Sequence, residues 1–281
     1  MKRLLRTLRH RLRRAAAFAR YGPALRGAPV LFANSFPKSG THLLTQVLEG
    51  FARFGPAVDA GLPAVLTYES ATGRERTPAE IAADLRRLRP GDIGYGHVHA
   101  LPETVPLLCR PGVAAWFIVR DPRDVVVSHV HYVTDMAPGH VHHAYYRSLP
   151  DFESRLRVSI LGLPDAEVPF PDISQRFAPY RGWLEQPEVS LLHFEDFLQG
   201  RRAALGAVLD HAVRRGFPLK IPREEAISLL EAAINPEKSP TFRSGKAGGW
   251  RESFTPETTA LFKDVAGDLL IALGYESDKD W

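Results

Sequence analysis

Apolar residues follow two rhythms along this chain. Three short runs are continuous, Val30-Leu31-Phe32-Ala33, Ala114-Ala115-Trp116-Phe117-Ile118-Val119 and Val189-Ser190-Leu191-Leu192-His193-Phe194. Such runs predict strands buried on both faces. Helical spacing follows them. Leu43, Leu44, Val47, Leu48 and Phe51 mark one face of a helix directly after the first run. Thr77 as N-cap with Pro78 at the first position opens a helix to Leu88. Gly91 to Ala100 reads as a short strand leading into a loop. Asp121 and Pro122 open a helix through Tyr132, Glu195 to Leu209 reads as another, and Thr255-Pro256 caps the last. Strands alternating with helices predict an α/β fold, three layers deep with a central parallel sheet, as one domain over residues 27–281.

Residues 1–26 read differently. Leu4, Leu8, Leu12, Ala15 and Ala19 fall at helical spacing among arginines. One reading is a basic amphipathic helix on an anionic membrane surface or partner. The other is a solvated helix that packs its leucines on the body. Charge sharpens the contrast. Residues 1–48 hold ten Lys or Arg and no acid, whereas the rest carries a net −6, which gives the chain its +4. Apolar residues at 44% and charged residues at 24% are ordinary for a globular protein. The 281 residues hold no apolar run of the ~18 residues a spanning helix needs. Arginines interrupt the N-terminus too often for a signal peptide. The single cysteine, Cys109, excludes an internal disulfide and a cysteine zinc site. A cytoplasmic protein is the reading, with residues 1–20 as the membrane-facing segment if the first alternative holds.

Three stretches carry candidate chemistry. The first, Ser35-Phe36-Pro37-Lys38-Ser39-Gly40-Thr41-His42, joins the first strand to the first helix. Gly40 allows close backbone approach, the helix start offers unpaired N–H groups to an anion, and Lys38 adds a full charge. Its lysine precedes the glycine, so it is not the Gly-Lys-Ser/Thr loop of nucleoside triphosphatases. The second, Phe117 to Ser128, places Arg120 at a strand end where open α/β sheets bind ligands. Asp121 and Asp124 read there as a helix cap and a first-turn charge. The third, Thr241 to Arg251, holds three glycines and three cations, a basic loop suited to closing on an anion.

In this order along the chain, the three stretches resemble the cytosolic sulfotransferases that use 3′-phosphoadenosine 5′-phosphosulfate (PAPS). The resemblance runs from Val30 to Trp281. It implies a fold related to the P-loop nucleotide kinases and an in-line sulfuryl transfer that needs no metal. It assigns Lys38, Ser39, Gly40, Thr41 and His42 to the 5′-phosphosulfate turn, and Arg120 with Ser128 to the 3′-phosphate. Phe194, Phe242, Arg243, Ser244 and Gly245 would complete the nucleotide site. Lys38 would also stabilise charge on the departing phosphate oxygen. The family's basic histidine follows a strand, two residues beyond a lysine. Here that offset gives His99 as base and His97 in place of the lysine, although the proline falls one residue late, at Pro102, and leaves His97 as the alternative. His42-Leu43, Phe194 and Ser244 depart from the family's Thr-Trp, tyrosine and lysine. Pro256 and Ala260 alter its dimer segment. The acceptor expected is a small molecule, lipid or carbohydrate with a hydroxyl or amine.

Rival readings exist. A protein of the same fold could bind nucleotide without catalysis, and a small-molecule kinase would share the layers. His129, His131, His140, His142 and His143 invite a metal site, but residues two apart on a helix point to different sides. Nucleic-acid binding would rest only on the N-terminus, which lacks interleaved aromatics. No metal and no nucleic acid are therefore expected.

Overall fold

In the computed structural model, which describes residues 2–59, 61–239 and 245–281 (with no side chains for 2–7 and 9), the strands are mostly short. They are β1 (Val30–Ser35), β2 (Val58–Asp59), β3 (Val65–Leu66), β4 (Tyr68–Glu69), β5 (Arg74–Glu75), β6 (Asp92–His97), β7 (Val113–Val119) and β8 (Val189–His193). Helices α1 (Lys2–Tyr21) and α2 (Ala24–Gly27) precede β1, and α3 (Thr41–Gly50) follows it. Helices α4 (Pro78–Arg86) and α5 (Val105–Cys109) flank β6, then come α6 (Pro122–His131), α7 (His143–Ser148), α8 (Phe152–Leu161) and α9 (Ile173–Phe177). After β8 lie α10 (Asp196–Gln199), α11 (Arg201–Arg214), α12 (Arg223–Glu231) and α13 (Pro256–Ala272).

The main sheet runs β2-β6-β1-β7-β8, with β3 added beside β6, and its pairings are parallel. Strands β4 and β5 form a separate antiparallel pair. Every residue of β1 and β7 is buried, as continuous apolar runs require at the centre of a covered sheet. Side chains alternate between two cores. Phe32, Ala115, Phe117 and Val119 face the helices α4, α6, α8, α9 and α13. Leu31, Ala33, Trp116 and Ile118 face α3, α11 and α12. The expected three-layer α/β/α arrangement is thus present. The capping box at Thr77 and Glu80 starts α4, and Thr255 with Thr258 starts α13.

Three helix boundaries differ from expectation, the smallest in effect being α4, which stops at Arg86 and not at Leu88. The helix expected from Glu195 to Leu209 is broken at Gly200, which ends α10 and begins α11 with φ −138° and ψ 51°. Glycine is a poor helix former and adopts the break without a side-chain clash. The third is the end of α6, where the chain continues through a wider π turn over Tyr132–Met136.

The described leucines of the N-terminal helix lie away from the body. Leu8 and Leu12 are 54% and 62% exposed, so these leucines do not pack on the body. Polar residues hold α1 in place. Arg14 and His10 reach the fully buried Asp92 carboxylate, Arg14 also donates to the Pro90 carbonyl, and Arg13 pairs with Asp59.

Candidate functional site

Strand β1 leads into α3 on one side of the sheet, whereas its neighbour β7 leads into α6 on the other. Adjacent strands whose connections depart to opposite faces open a crevice at their carboxyl ends, where ligands bind in open α/β sheets. The Phe36–Gly40 turn, His97, His99, Arg120 and Phe194 all lie at the carboxyl ends of β1, β6, β7 and β8.

The turn after β1 has the backbone of an anion cradle. Lys38 takes φ 71°, rare for a residue with a side chain, and Gly40 takes φ 99°. A Cβ on Gly40 would meet the Phe194 ring at 2.7 Å, so glycine is required twice over. Helix α3 starts without a side-chain cap, which leaves its first N–H groups for a ligand. The Ser39 hydroxyl is buried and without a hydrogen-bond partner. Such an orphan inside a phosphate-type turn fits an anionic oxygen as its missing partner. Thr41 is already engaged, its hydroxyl 2.7 Å from that of Ser35. The Lys38 ammonium stands 4.0 Å over the Tyr132 ring. His42 is half-buried, and burial together with the Lys38 charge lowers its pKa.

The two candidate histidines have different surroundings. His97 lies with its Nδ1 3.0 Å from the Ser35 carbonyl, which can only accept, so Nδ1 carries the proton and Nε2 the lone pair. Burial pushes its pKa down to about 4, with the His42 and Lys38 charges acting in the same direction. His99 lies two residues on, past the strand. Its Nε2 is 3.3 Å from the Thr67 hydroxyl, and its ring meets Tyr180 edge-on at 4.7 Å. Burial, then His97, brings its pKa to about 4. Both rings are therefore neutral at pH 7.

Arg120 leaves the end of β7 with its guanidinium 4.8 Å over Phe194 and its Nε buried without a partner. It donates to the Lys246 carbonyl at 2.9 Å and stands 3.5 Å from Asp124. Ser128 is half-buried on α6. Of the third stretch, Gly245 is described, at φ 59°, whereas Phe242, Arg243 and Ser244 lie outside the described residues.

Asp121 caps α6 as expected, accepting from the Arg123 N–H. Asp124 does more than charge the first turn. Its two oxygens accept the N–H groups of Gly248 and Trp250, tying the far end of the basic loop to α6. Beneath it, buried Arg123 pairs with Asp121 and Glu276 and stacks on Trp250 and Trp281 at 4.1 and 4.4 Å. Glu195 accepts from the Asp121 N–H and from the Tyr275 hydroxyl. None of Tyr132, Thr67, Tyr180, Asp124 as anchor or Arg123 was singled out as a site residue from sequence. Their roles depend on contacts far apart in the chain, which no local motif signals.

The histidine group near α6 is packing. His129 is buried against Phe170 and bonds Ser159, while His142 and His143 donate ring N–H groups to the Val168 and Val133 carbonyls. Among the described residues, no group of three or more His, Cys, Asp or Glu side chains is arranged to hold a metal ion. Between α3, β6 and the segment after α12, His42, Thr45, Gln46, Glu49, Tyr95 and Asn235 border a polar cavity of about 380 Å³. No helix among the described residues is long and apolar enough to cross a membrane.

No protein-family model matches this chain, and no curated protein matches it either. Solved structures do. Mouse sulfotransferase SULT7A1 complexed with PAP aligns at a TM-score of 0.57 and 18% identity, over 89% of this chain and 90% of that one. Retinol dehydratase in complex with androsterone and the inactive cofactor PAP aligns at 0.54 and 17%, over 91% and 85%. The same enzyme with retinol and PAP aligns at 0.55 and 16%, over 91% and 86%. At this level of identity the likeness is one of architecture: the chain shares the α/β fold of these structures.

Proposed function

We propose that this chain is a PAPS-dependent sulfotransferase acting on a hydroxyl or amine of a small-molecule acceptor. One observation carries the reading. At the switch point of the sheet, an uncapped helix start, a buried orphan serine hydroxyl and a strained lysine form one turn, and Arg120 with its unpartnered Nε stands beside Phe194 next to it. These groups fit a ligand with anionic oxygens at two places and an aromatic base near Phe194. The fold likeness to structures solved with PAP supports the same donor.

PAPS, when bound, supplies an activated sulfuryl group on a phosphate oxygen. The chain's own residues do the rest. The Phe36–Gly40 turn and the α3 N–H groups hold the phosphate end, and Ser39 donates its hydroxyl. Lys38 places a positive charge where negative charge builds on the leaving oxygen. In-line transfer puts the acceptor on the side away from that oxygen, so the base should stand farther from Lys38. His99 meets this condition better than His97, whose pKa is lowered by burial and, unlike that of His99, also by the Lys38 charge. Neutral His99 accepts the acceptor's proton, and His97 orients the turn. Arg120 and Ser128 hold the 3′-phosphate. The unpaired Cys109 agrees with a reducing, cytoplasmic compartment.

The deciding experiment is calorimetric titration with 3′-phosphoadenosine 5′-phosphate and, in parallel, with ADP. Tight binding of the bisphosphate and weak binding of ADP is expected. Equal affinity for the two would remove the 3′-phosphate site and with it the sulfotransferase reading.

A further inference from the structure

The first helix is mounted the wrong way round for a helix that serves only the fold. With 3.6 residues per turn, Leu8, Leu12, Ala15 and Ala19 share one face of α1, and His10, Arg14, Ala17 and Tyr21 the opposite one. An amphipathic helix ordinarily turns its apolar face to the core. Here the polar face docks. Arg14 and His10 converge on the fully buried Asp92, which also accepts the Arg89 N–H at 3.0 Å. Arg13 pairs with Asp59 one residue round the helix. Leaving Asp92 without these partners would strand a buried charge, so the orientation is strongly held.

The consequence is a free apolar stripe. Leu8 is 54% exposed, Leu12 62% and Phe18 41%, with Ala15, Ala16 and Ala19 exposed among them. Arg11 and Arg20 are exposed on the same helix. No acidic residue occurs before Glu49, although the rest of the chain is net acidic. An apolar stripe bordered by arginines, on a helix that carries no acid of its own, is complementary to a bilayer with an anionic headgroup layer. The leucines would enter the acyl boundary while the arginine stems extend to the headgroups.

We propose that α1 is a membrane-surface anchor whose docked polar face fixes its apolar stripe outward, toward an anionic lipid bilayer. The occupant is lipid and not a second copy, because two such helices face to face would bring their arginines together.

The test is co-sedimentation of the full chain with vesicles of phosphatidylcholine alone and of phosphatidylcholine with phosphatidylserine. Binding to the mixed vesicles, little binding to the neutral ones, and loss on raising salt are expected. The double variant Leu8→Asp/Leu12→Asp should bind mixed vesicles roughly a hundred-fold more weakly, given the worth of two buried leucines. Both positions are exposed, so its circular dichroism and PAP binding should match the parent. Absence of vesicle binding, equal binding to neutral vesicles, or an unaffected double variant would each overturn the proposal. So would a dimer in light scattering that the double variant converts to monomer, with no vesicle binding, since the stripe would then belong to a second copy.

Discussion

Lys38 holds a backbone conformation that glycine takes easily and lysine rarely, and its ammonium is steered by the Tyr132 ring. That combination places a charge, and placement is what electrostatic catalysis uses. Lys38→Ala is expected to lower kcat/KM about 10²–10³-fold, the usual loss from removing one preorganised donor. Steady-state kinetics on any sulfated acceptor would show it, and an undiminished variant would remove Lys38 from the chemistry. For the base, His99→Ala should lose turnover while binding 3′-phosphoadenosine 5′-phosphate like the parent. An active His99→Ala with an inactive His97→Ala would hand the role to His97. The pH profile offers an independent check. Burial holds His99 at about 4, below the ordinary 6.5, so the base remains unprotonated as pH falls through 6 and 5. The acid limb of kcat/KM should therefore fall near pH 4; a limb near 6.5 would mean a base in water. At this scale the sequence was legible where chemistry is local, as in the Pro37–Thr41 turn. It was silent on Tyr132, Thr67 and Tyr180, because an aromatic or hydroxyl side chain shows its partner only once the chain has folded.

Elements position these residues by long-range ties. Helix α6 reaches the basic loop through Asp124, whose oxygens take two loop N–H groups and whose side chain is 2% exposed. Asp124→Ala removes both acceptors and leaves two N–H groups to find water. Affinity for 3′-phosphoadenosine 5′-phosphate should fall by about tenfold or more, since even one lost charge-assisted bond is worth roughly 1.5 kcal/mol. Calorimetry against the parent reads this directly, and unchanged affinity would mean that the anchor has no part in the donor site. Gly40→Ala strains the φ 99° position and drives a methyl into Phe194, so it should weaken the same ligand more severely. Element types came through in the sequence because buried runs and capping residues are written locally, as at Thr77-Pro78 and Asp121-Pro122. The break at Gly200 was less legible, since an isolated glycine is compatible with a continuous helix as well. Asp124 was read as a first-turn charge, which it is, but its loop partners lie 124 and 126 residues away.

For the whole molecule, alternating runs were enough to read the three layers, whereas the orientation of α1 was not. Its spacing showed an apolar face without showing that Asp92 and Asp59 would claim the other one. Burial also writes a pH dependence into the whole fold. His97, His99, His140 and His211 have pKa values lowered to about 4, and His129 is lowered well below 6.5, with burial the leading cause in each. The unfolded chain takes up protons near 6.5 that the folded chain refuses until about 4, so stability is lost as pH falls through that window. Melting followed by circular dichroism should show Tm dropping steadily from pH 7 to pH 5, and a flat Tm would contradict the buried, neutral histidines. The clamp around Arg123 has an optical side as well. The chain has four tryptophans, and two of them, Trp250 and Trp281, meet edge to face with centroids 5.5 Å apart and share that guanidinium, just where the basic loop returns to the body. Excitation of the indoles thus reads the loop's seat from within, and donor titrations can be followed by intrinsic emission without any added label.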